Sequence, residues 1–198
     1  TEENEQIYVK VALSPVSVDG AKANLEAELP DWNFKRTIAN AEKAWAKELS
    51  KVEITSEDEA AKRTFYTALY HTMIAPSVFC DVNGDYRGAD GQIHKGEGHT
   101  TYTTYSLWDT YRAAMPLLSI LQKERMTDIV NTMLNICDEQ GRLPVWHLWG
   151  CETDCMVGNP GIISVADAIV KGDTGIDKER AFEAIKKTAM HPGRGNNY

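Results

Sequence analysis

The sequence predicts a mainly α-helical protein, built of helix hairpins joined by long loops and preceded by a terminal β-strand. Three observations predict it. Apolar residues recur at three- and four-residue steps through most of the chain beyond Pro30, the spacing of one helix face. Glycine or proline stands just past several of these runs, where helices stop. Sustained two-residue alternation is confined to Ile7–Leu13, the spacing of a half-buried strand.

The bulk numbers set bounds on function. A chain of 198 residues can bury one good core. Its 42% hydrophobic and 25% charged content is ordinary for a globular protein. No apolar run approaches the length of a membrane span. The net charge of −8 opposes a nucleic-acid backbone and suits a neutral or cationic substrate. Four cysteines (Cys80, Cys137, Cys151 and Cys155) are too few and too scattered for a disulfide scaffold.

Taken in order, the elements begin with the alternating set Ile7, Val9, Val11 and Leu13, closed by Ser14-Pro15. A lone strand is not stable, so its partners are expected in a preceding β-domain. Phe34, Ile38, Ala41, Trp45 and Leu49 then mark a helix, with Trp45 expected in the core. Ser56 and Glu59 have the spacing of a capping box, opening a helix through Phe65, Leu69 and Met73 as far as Pro76. From Ser77 to Thr104 short strands and turns are expected, with Asn83-Gly84 as a hairpin signal. Asp81–Asp85 is not an EF-hand loop, because its glycine is misplaced and Gln92 stands where a bidentate Glu is needed. Helices return over 107–121, 127–139, 162–171 and 178–189, with Gly141, Gly172 and Pro192 as stops. Short connections imply antiparallel neighbours.

Chemistry concentrates in two strings, Tyr105-Ser-Leu-Trp-Asp-Thr-Tyr-Arg112 and Leu143-Pro-Val-Trp-His-Leu-Trp-Gly-Cys-Glu-Thr-Asp-Cys-Met156, which hold three of the five tryptophans. Each sets carboxylates beside indole rings. Rings stack on the C–H face of a pyranose, while carboxylates bind hydroxyls or move protons at the glycosidic oxygen. Asp109 fits two roles that can coexist, a capping-box acid opposite Ser106 and a clamp for vicinal hydroxyls beside Trp108. Glu152 falls in a segment without helix or strand period. A carboxyl beside apolar rings has its charged form disfavoured, as a general acid requires, although an exposed loop glutamate has the same local sequence. Asp154 is its possible partner. Trp108, Trp146 and Trp149 lie at or beside turns and serve equally as platforms or as core. Arg112 and Arg142 are expected in structural ion pairs. His147, Cys151 and Cys155 share a helical spacing that would suit zinc, but Pro144, Gly150 and Gly158 argue for a loop and no fourth ligand is near; buried, inert cysteines are expected instead. Glycine-rich phosphate loops, nucleophile elbows and H-E-x-x-H are all absent.

These strings, together with Phe65-Tyr-Thr-Ala-Leu-Tyr-His-Thr72, resemble glycoside hydrolase family 92, the calcium-dependent exo-acting α-mannosidases. The likeness runs from Ile7 to Met190. It implies the last strand and tail of an N-terminal β-sandwich at 1–29, a linker helix at 30–55 and the first part of an (α/α)6 catalytic barrel at 56–198. It also implies an inverting mechanism, with Glu152 as general acid and Trp108 and Asp109 contacting the non-reducing mannose. The family's base aspartates lie in a Gly-Asn-Asp-Asp segment that has no counterpart in this sequence, and most calcium ligands also come late. The resemblance therefore implies an exported enzyme that trims mannose-rich glycans, and a 198-residue chain that is inactive alone. Two other readings stand beside it, an (α/α)6 glycosidase acting on α-glucosides and a non-catalytic carbohydrate-binding protein.

Overall fold

The computed structural model describes residues 5–96 and 98–192, so the ends of the first and last expected domains lie outside the described residues. The chain is mainly helical. Its core lies among the packed helices of the C-terminal half, preceded by further helices and by small strand pairs.

The N-terminal alternation is present but unpaired. Ile7, Val9, Val11 and Leu13 are 67, 78, 75 and 82% exposed, while Lys10 and Ala12 between them are partly covered. No described segment forms a ladder with them, so the expected half-buried strand is replaced by an unpaired segment with an outward apolar row. Helix α1 (Val18–Glu28) follows, where the family resemblance implies only a tail. Ser17 caps it by accepting from the Gly20 N–H at 2.9 Å. Gly20 lets the helix lie against the Asp81 loop, since a Cβ there would collide with Asp81 Oδ2. Asn24 completes the junction. Its amide donates to Asp81 Oδ1 at 2.8 Å and its carbonyl accepts from Val82 N at 2.8 Å.

Helix α2 (Phe34–Leu49), capped by Asn33, has no fully buried residue. Trp45 is therefore not core as expected. It is half-buried, with its ring edge-on to Tyr70 at 4.5 Å. Helix α3 (Glu59–His71) starts at Asp58 rather than Ser56. The Asp58 carboxylate accepts from Ala60 and Ala61 N–H, and Ser56 Oγ accepts from Asp58 N. Aspartate caps as well as serine, so the local sequence carried two competing starts.

Residues 77–104 form two small antiparallel pairs. Strand β1 (Ser77–Val78) pairs with β4 (Tyr102–Thr103), and β2 (Tyr86–Arg87) with β3 (Ile93–His94). Asn83-Gly84 makes a tight turn with Gly84 at φ 87°, but the hairpin ladder closes further on, around Gly88–Gln92. The Asp81 and Asp85 carboxylates bind Asn24, Ser14, Asn83 and Lys95.

The single helix expected over 107–121 is two, α4 (Leu107–Thr110) and α5 (Ala114–Leu121). Pro116 explains the break. It lacks the N–H that a continuous helix would bond to residue 112, and its ring would meet that carbonyl. Helix α6 (Lys123–Gln140) stops at Gly141, which is left-handed at φ 95°. Helix α7 (Pro160–Val170) carries proline in its first turn, and α8 (Lys178–Ala189) is capped by Asp177. Helix α6 packs against α5, α7 and α8. Met126, Val130, Met133, Leu134 and Cys137 line its buried face against Val165, Ala181 and Ala184. This is the helix-hairpin arrangement the sequence predicts. Among the described residues no helix is long and apolar enough to cross a membrane.

Candidate active site

A three-stranded antiparallel sheet joins the two strings: β5 (Tyr105–Ser106), β6 (Trp146–Leu148) and β7 (Cys151–Glu152). Ser106 faces Trp146, Tyr105 faces His147, and His147 faces Glu152. The sheet is held from below by apolar anchors. Tyr105 and Leu107 are fully buried, Leu143 and Val145 nearly so. Tyr105 OH donates to Ile129 O at 3.0 Å, tying the edge strand to α6. Trp146 and Glu152 lie on this sheet and Trp108 and Asp109 follow directly from β5, while Trp149 sits at the opposite end, beside Thr103.

Glu152 is half-buried on a strand rather than in a loop, which corrects the sequence reading. Three main-chain N–H groups hold its carboxylate. Val145 N donates to Oε2 at 2.8 Å; Trp146 N and Asp154 N donate to Oε1 at 2.9 and 3.2 Å. A carboxylate offers about four lone-pair positions, two per oxygen. Oε1 is therefore filled, and Oε2 keeps one position where a proton can sit.

The tip of the β6–β7 hairpin is Trp149-Gly150, with φ of 51° and 78°. Two central residues with positive φ make the tight turn that matches strand twist, and the first is normally Asn, Asp or Gly. Here it is tryptophan, 70% exposed, with its N–H donating to Thr103 Oγ1 at 2.6 Å. A bulky residue in this region is strained, and strain of this kind gathers at functional sites. Its ring is on the surface rather than in the core. Trp108 is 36% exposed and Trp146 half-buried.

Asp109 is exposed and does not close a capping box. Ser106 Oγ donates to its Oδ2 at 2.5 Å, and neither side chain caps the main chain of α4. Arg112 lies over the rings of Trp108 and Tyr111, at 5.8 and 5.1 Å, instead of the expected ion pair. Arg142, by contrast, does pair, with Asp154.

His147 was not among the expected site residues. It is 2% exposed, and neither ring nitrogen has a hydrogen-bond partner. Burial pushes its pKa down to about 4, against the opposing pull of the Glu152 carboxylate. Cys151 and Cys155 are exposed thiols, contrary to the expectation of buried ones. The hairpin separates them from buried His147, so the zinc pattern does not converge. Among the described residues no three His, Cys, Asp or Glu side chains could hold a metal ion. The described His, Cys, Asp and Glu side chains therefore do not by themselves form the implied calcium site. A cleft of about 450 Å³ between α2, α5, α6 and the segment after α3 is lined by Trp45, Glu48, Gln122 and Arg125, and not by Trp108, Asp109, Trp146, Trp149 or Glu152. Lys51, Gln122 and Arg125 hold the Glu48 carboxyl down at about 2 against its desolvation.

Carboxylates beside surface indoles, mounted on a helical scaffold, have the make-up of a carbohydrate-active site. Residues 20–198 match the Glycosyl hydrolase family 92 catalytic domain, and the chain belongs to that family. It is similar to a family GH92 alpha-mannosidase from Bacteroides thetaiotaomicron at 45% identity, over 93% of this chain and 24% of that one, with a TM-score of 0.87. A family GH92 inverting mannosidase from the same organism shares 31% identity over 86% of this chain and 23% of its own, with a TM-score of 0.80. An uncharacterized secreted glycosidase from Arthroderma benhamiae is 28% identical over 93% of this chain and 20% of its own length. The chain thus spans a quarter or less of these relatives.

Proposed function

We propose that this chain is part of an exo-acting, inverting α-mannosidase, with Glu152 as general acid. The observation that carries the proposal is the register of β5-β6-β7, which sets Trp146 and Glu152 on the strands beside β5, the strand that runs on into Trp108 and Asp109. The acid's proton sits on Oε2 and passes to the glycosidic oxygen as its bond to C1 breaks. A base roughly 6.5–9.5 Å away activates water on the opposite face of the ring. That base comes from outside this sequence. Asp109 accepts from two hydroxyls of the non-reducing mannose, Trp108 and Trp146 cover its C–H face, and Trp149, at the other end of the sheet, stacks on a more distant part of the substrate. The solved relatives named as mannosidases, one of them also seen with mannoimidazole, support mannose as the sugar.

The substrate is α-1,2-linked mannose of mannose-rich glycans, and the protein works outside the cytoplasm, as the secreted relative's name suggests. Residues 1–29, 30–55 and 56–198 belong to a β-sandwich, a linker helix and a partial barrel. Calcium is bound by residues beyond this chain, so a chelator abolishes hydrolysis by the full-length protein and added calcium restores it.

Proton NMR of an α-mannoside digest by the full-length protein tests the function directly. The proposal expects β-mannose as the first product. The α-anomer appearing first contradicts inversion, and cleavage of α-glucosides in preference to α-mannosides favours the glucosidase reading.

A further inference from the structure

Three described residues other than glycine have positive φ: Thr104 at 65°, Trp149 at 51° and Asp154 at 50°. All three flank the sheet that carries Glu152. Thr104 turns the chain from β4 into β5, and Trp149 makes the hairpin tip. Asp154 has no turn of that kind to make. It lies two residues beyond Glu152, in a segment that continues through Cys155 and Met156 towards α7.

What holds Asp154 in this conformation is visible. The Arg142 guanidinium reaches across from the α6–β6 connection and pairs with Asp154 Oδ1. Arg142 is itself 9% exposed, and Gln140 Nε2 donates to its carbonyl at 3.1 Å just past the α6 terminus. The anchor is thus tied to the most deeply packed helix of the molecule. With Asp154 so held, its N–H donates back to Glu152 Oε1. Thr153 fixes the intervening residue, its N–H and Oγ1 both donating to Trp146 O, at 3.2 and 2.8 Å.

We propose that Asp154 is a positioning residue for the acid. With its side chain pinned by Arg142, it holds the Thr153–Asp154 peptide so that its N–H meets Oε1 of Glu152. That N–H, with the one from Trp146, fills Oε1 and leaves Oε2 as the oxygen that carries and delivers the proton. Without that pin the Thr153–Asp154 peptide is free to rotate, the Asp154 N–H leaves Oε1, Oε1 regains a free lone-pair position, and the proton is shared between two oxygens with different aim. The inference rests on Glu152 being the acid.

The test uses the full-length protein and two substrates, α-1,2-mannobiose and 2,4-dinitrophenyl α-mannoside. The disaccharide needs a proton on its leaving group, whereas dinitrophenolate leaves without one. Asp154→Ala disfavours the left-handed backbone; Asp154→Asn tolerates it and keeps an acceptor for Arg142. The expected result is a loss of roughly 10- to 100-fold in kcat/KM on the disaccharide for Asp154→Ala, the scale of a misplaced catalytic group. Activity on the aryl mannoside stays within about threefold, and Asp154→Asn recovers most of the disaccharide activity. Equal loss on both substrates, no loss on either, or an Asn variant as poor as Ala each overturns the proposal. Glu152→Gln, run alongside, separates the two levels. If it spares both substrates, the acid assignment itself fails; if it loses only the disaccharide while Asp154→Ala loses nothing, the positioning role alone fails.

Discussion

At the residue scale, the site is a set of side chains placed where stability alone would not put them. Trp149 is the plainest case. Asparagine in its place suits the left-handed backbone, and little burial is forfeited because the ring is 70% exposed. Trp149→Asn is therefore expected to leave thermal stability unchanged or raise it by up to about 1 kcal/mol. The same variant of the full-length protein is expected to raise KM for α-mannosides roughly tenfold, the worth of one stacked ring at about 1.4 kcal/mol. Melting curves and steady-state kinetics check the two halves. His147 gives a pH prediction. Its folded-state pKa of about 4 lies below the ordinary 6.5, so the folded protein resists the proton that the unfolded chain accepts. Stability is whole above pH 6.5 and declines between there and pH 4, by roughly 1.4 kcal/mol per pH unit and about 3 kcal/mol in all. His147→Phe should flatten that part of the curve in urea unfolding; an unchanged slope would show that another group is responsible.

At the element scale, the fold depends on ends as much as on faces. Gly141 stops α6 at φ 95°, a conformation that costs an alanine of order 1 kcal/mol or more. Asp177 accepts from Glu179 and Arg180 N–H at the start of α8, a cap worth about 1 kcal/mol. Gly141→Ala and Asp177→Ala should each lower the unfolding free energy by about that much, read as a lower urea midpoint with an unchanged slope. Gly141 was legible in the sequence as a stop, as were α6, α7 and α8 as helices, because a helix writes its period into neighbouring residues; the Asp177 cap was not read. The sheet was not. Tyr105 pairs with His147 and His147 with Glu152, and strands of two or three residues are too short to show a period. One signal was available, Trp149-Gly150 between Trp-His-Leu and Cys-Glu, a two-residue hairpin tip whose first position is unusual. Helix α1 escaped for a related reason. Its stability comes from Asn24 and Gly20 meeting the Asp81 loop, a contact across 57 residues in sequence. The site residues themselves were legible as aromatic–carboxylate strings, but the donors that hold Glu152 are main-chain groups, which no side-chain motif records.

At the scale of the whole molecule, the packed helices show apolar faces to solvent. Ile120, Val170 and Phe182 on α5, α7 and α8 are 60, 85 and 59% exposed, more than isolated surface residues explain. They suit burial against further helices, and the unpaired row from Ile7 to Leu13 suits a sheet. The 198-residue chain alone is accordingly expected to bind a hydrophobic dye and to self-associate as concentration rises, as light scattering would show, and to release no mannose. Robust hydrolysis of an α-mannoside by this piece would contradict the division of labour proposed above. The central claim is narrower, that the small sheet holds the proton donor. It is tested most directly by Glu152→Gln in the full-length protein, assayed on α-1,2-mannobiose and on 2,4-dinitrophenyl α-mannoside. The account predicts that the disaccharide is no longer cleaved while the activated mannoside still is. Retention of both activities would mean that Glu152 only staples its hairpin, and that the acid lies elsewhere.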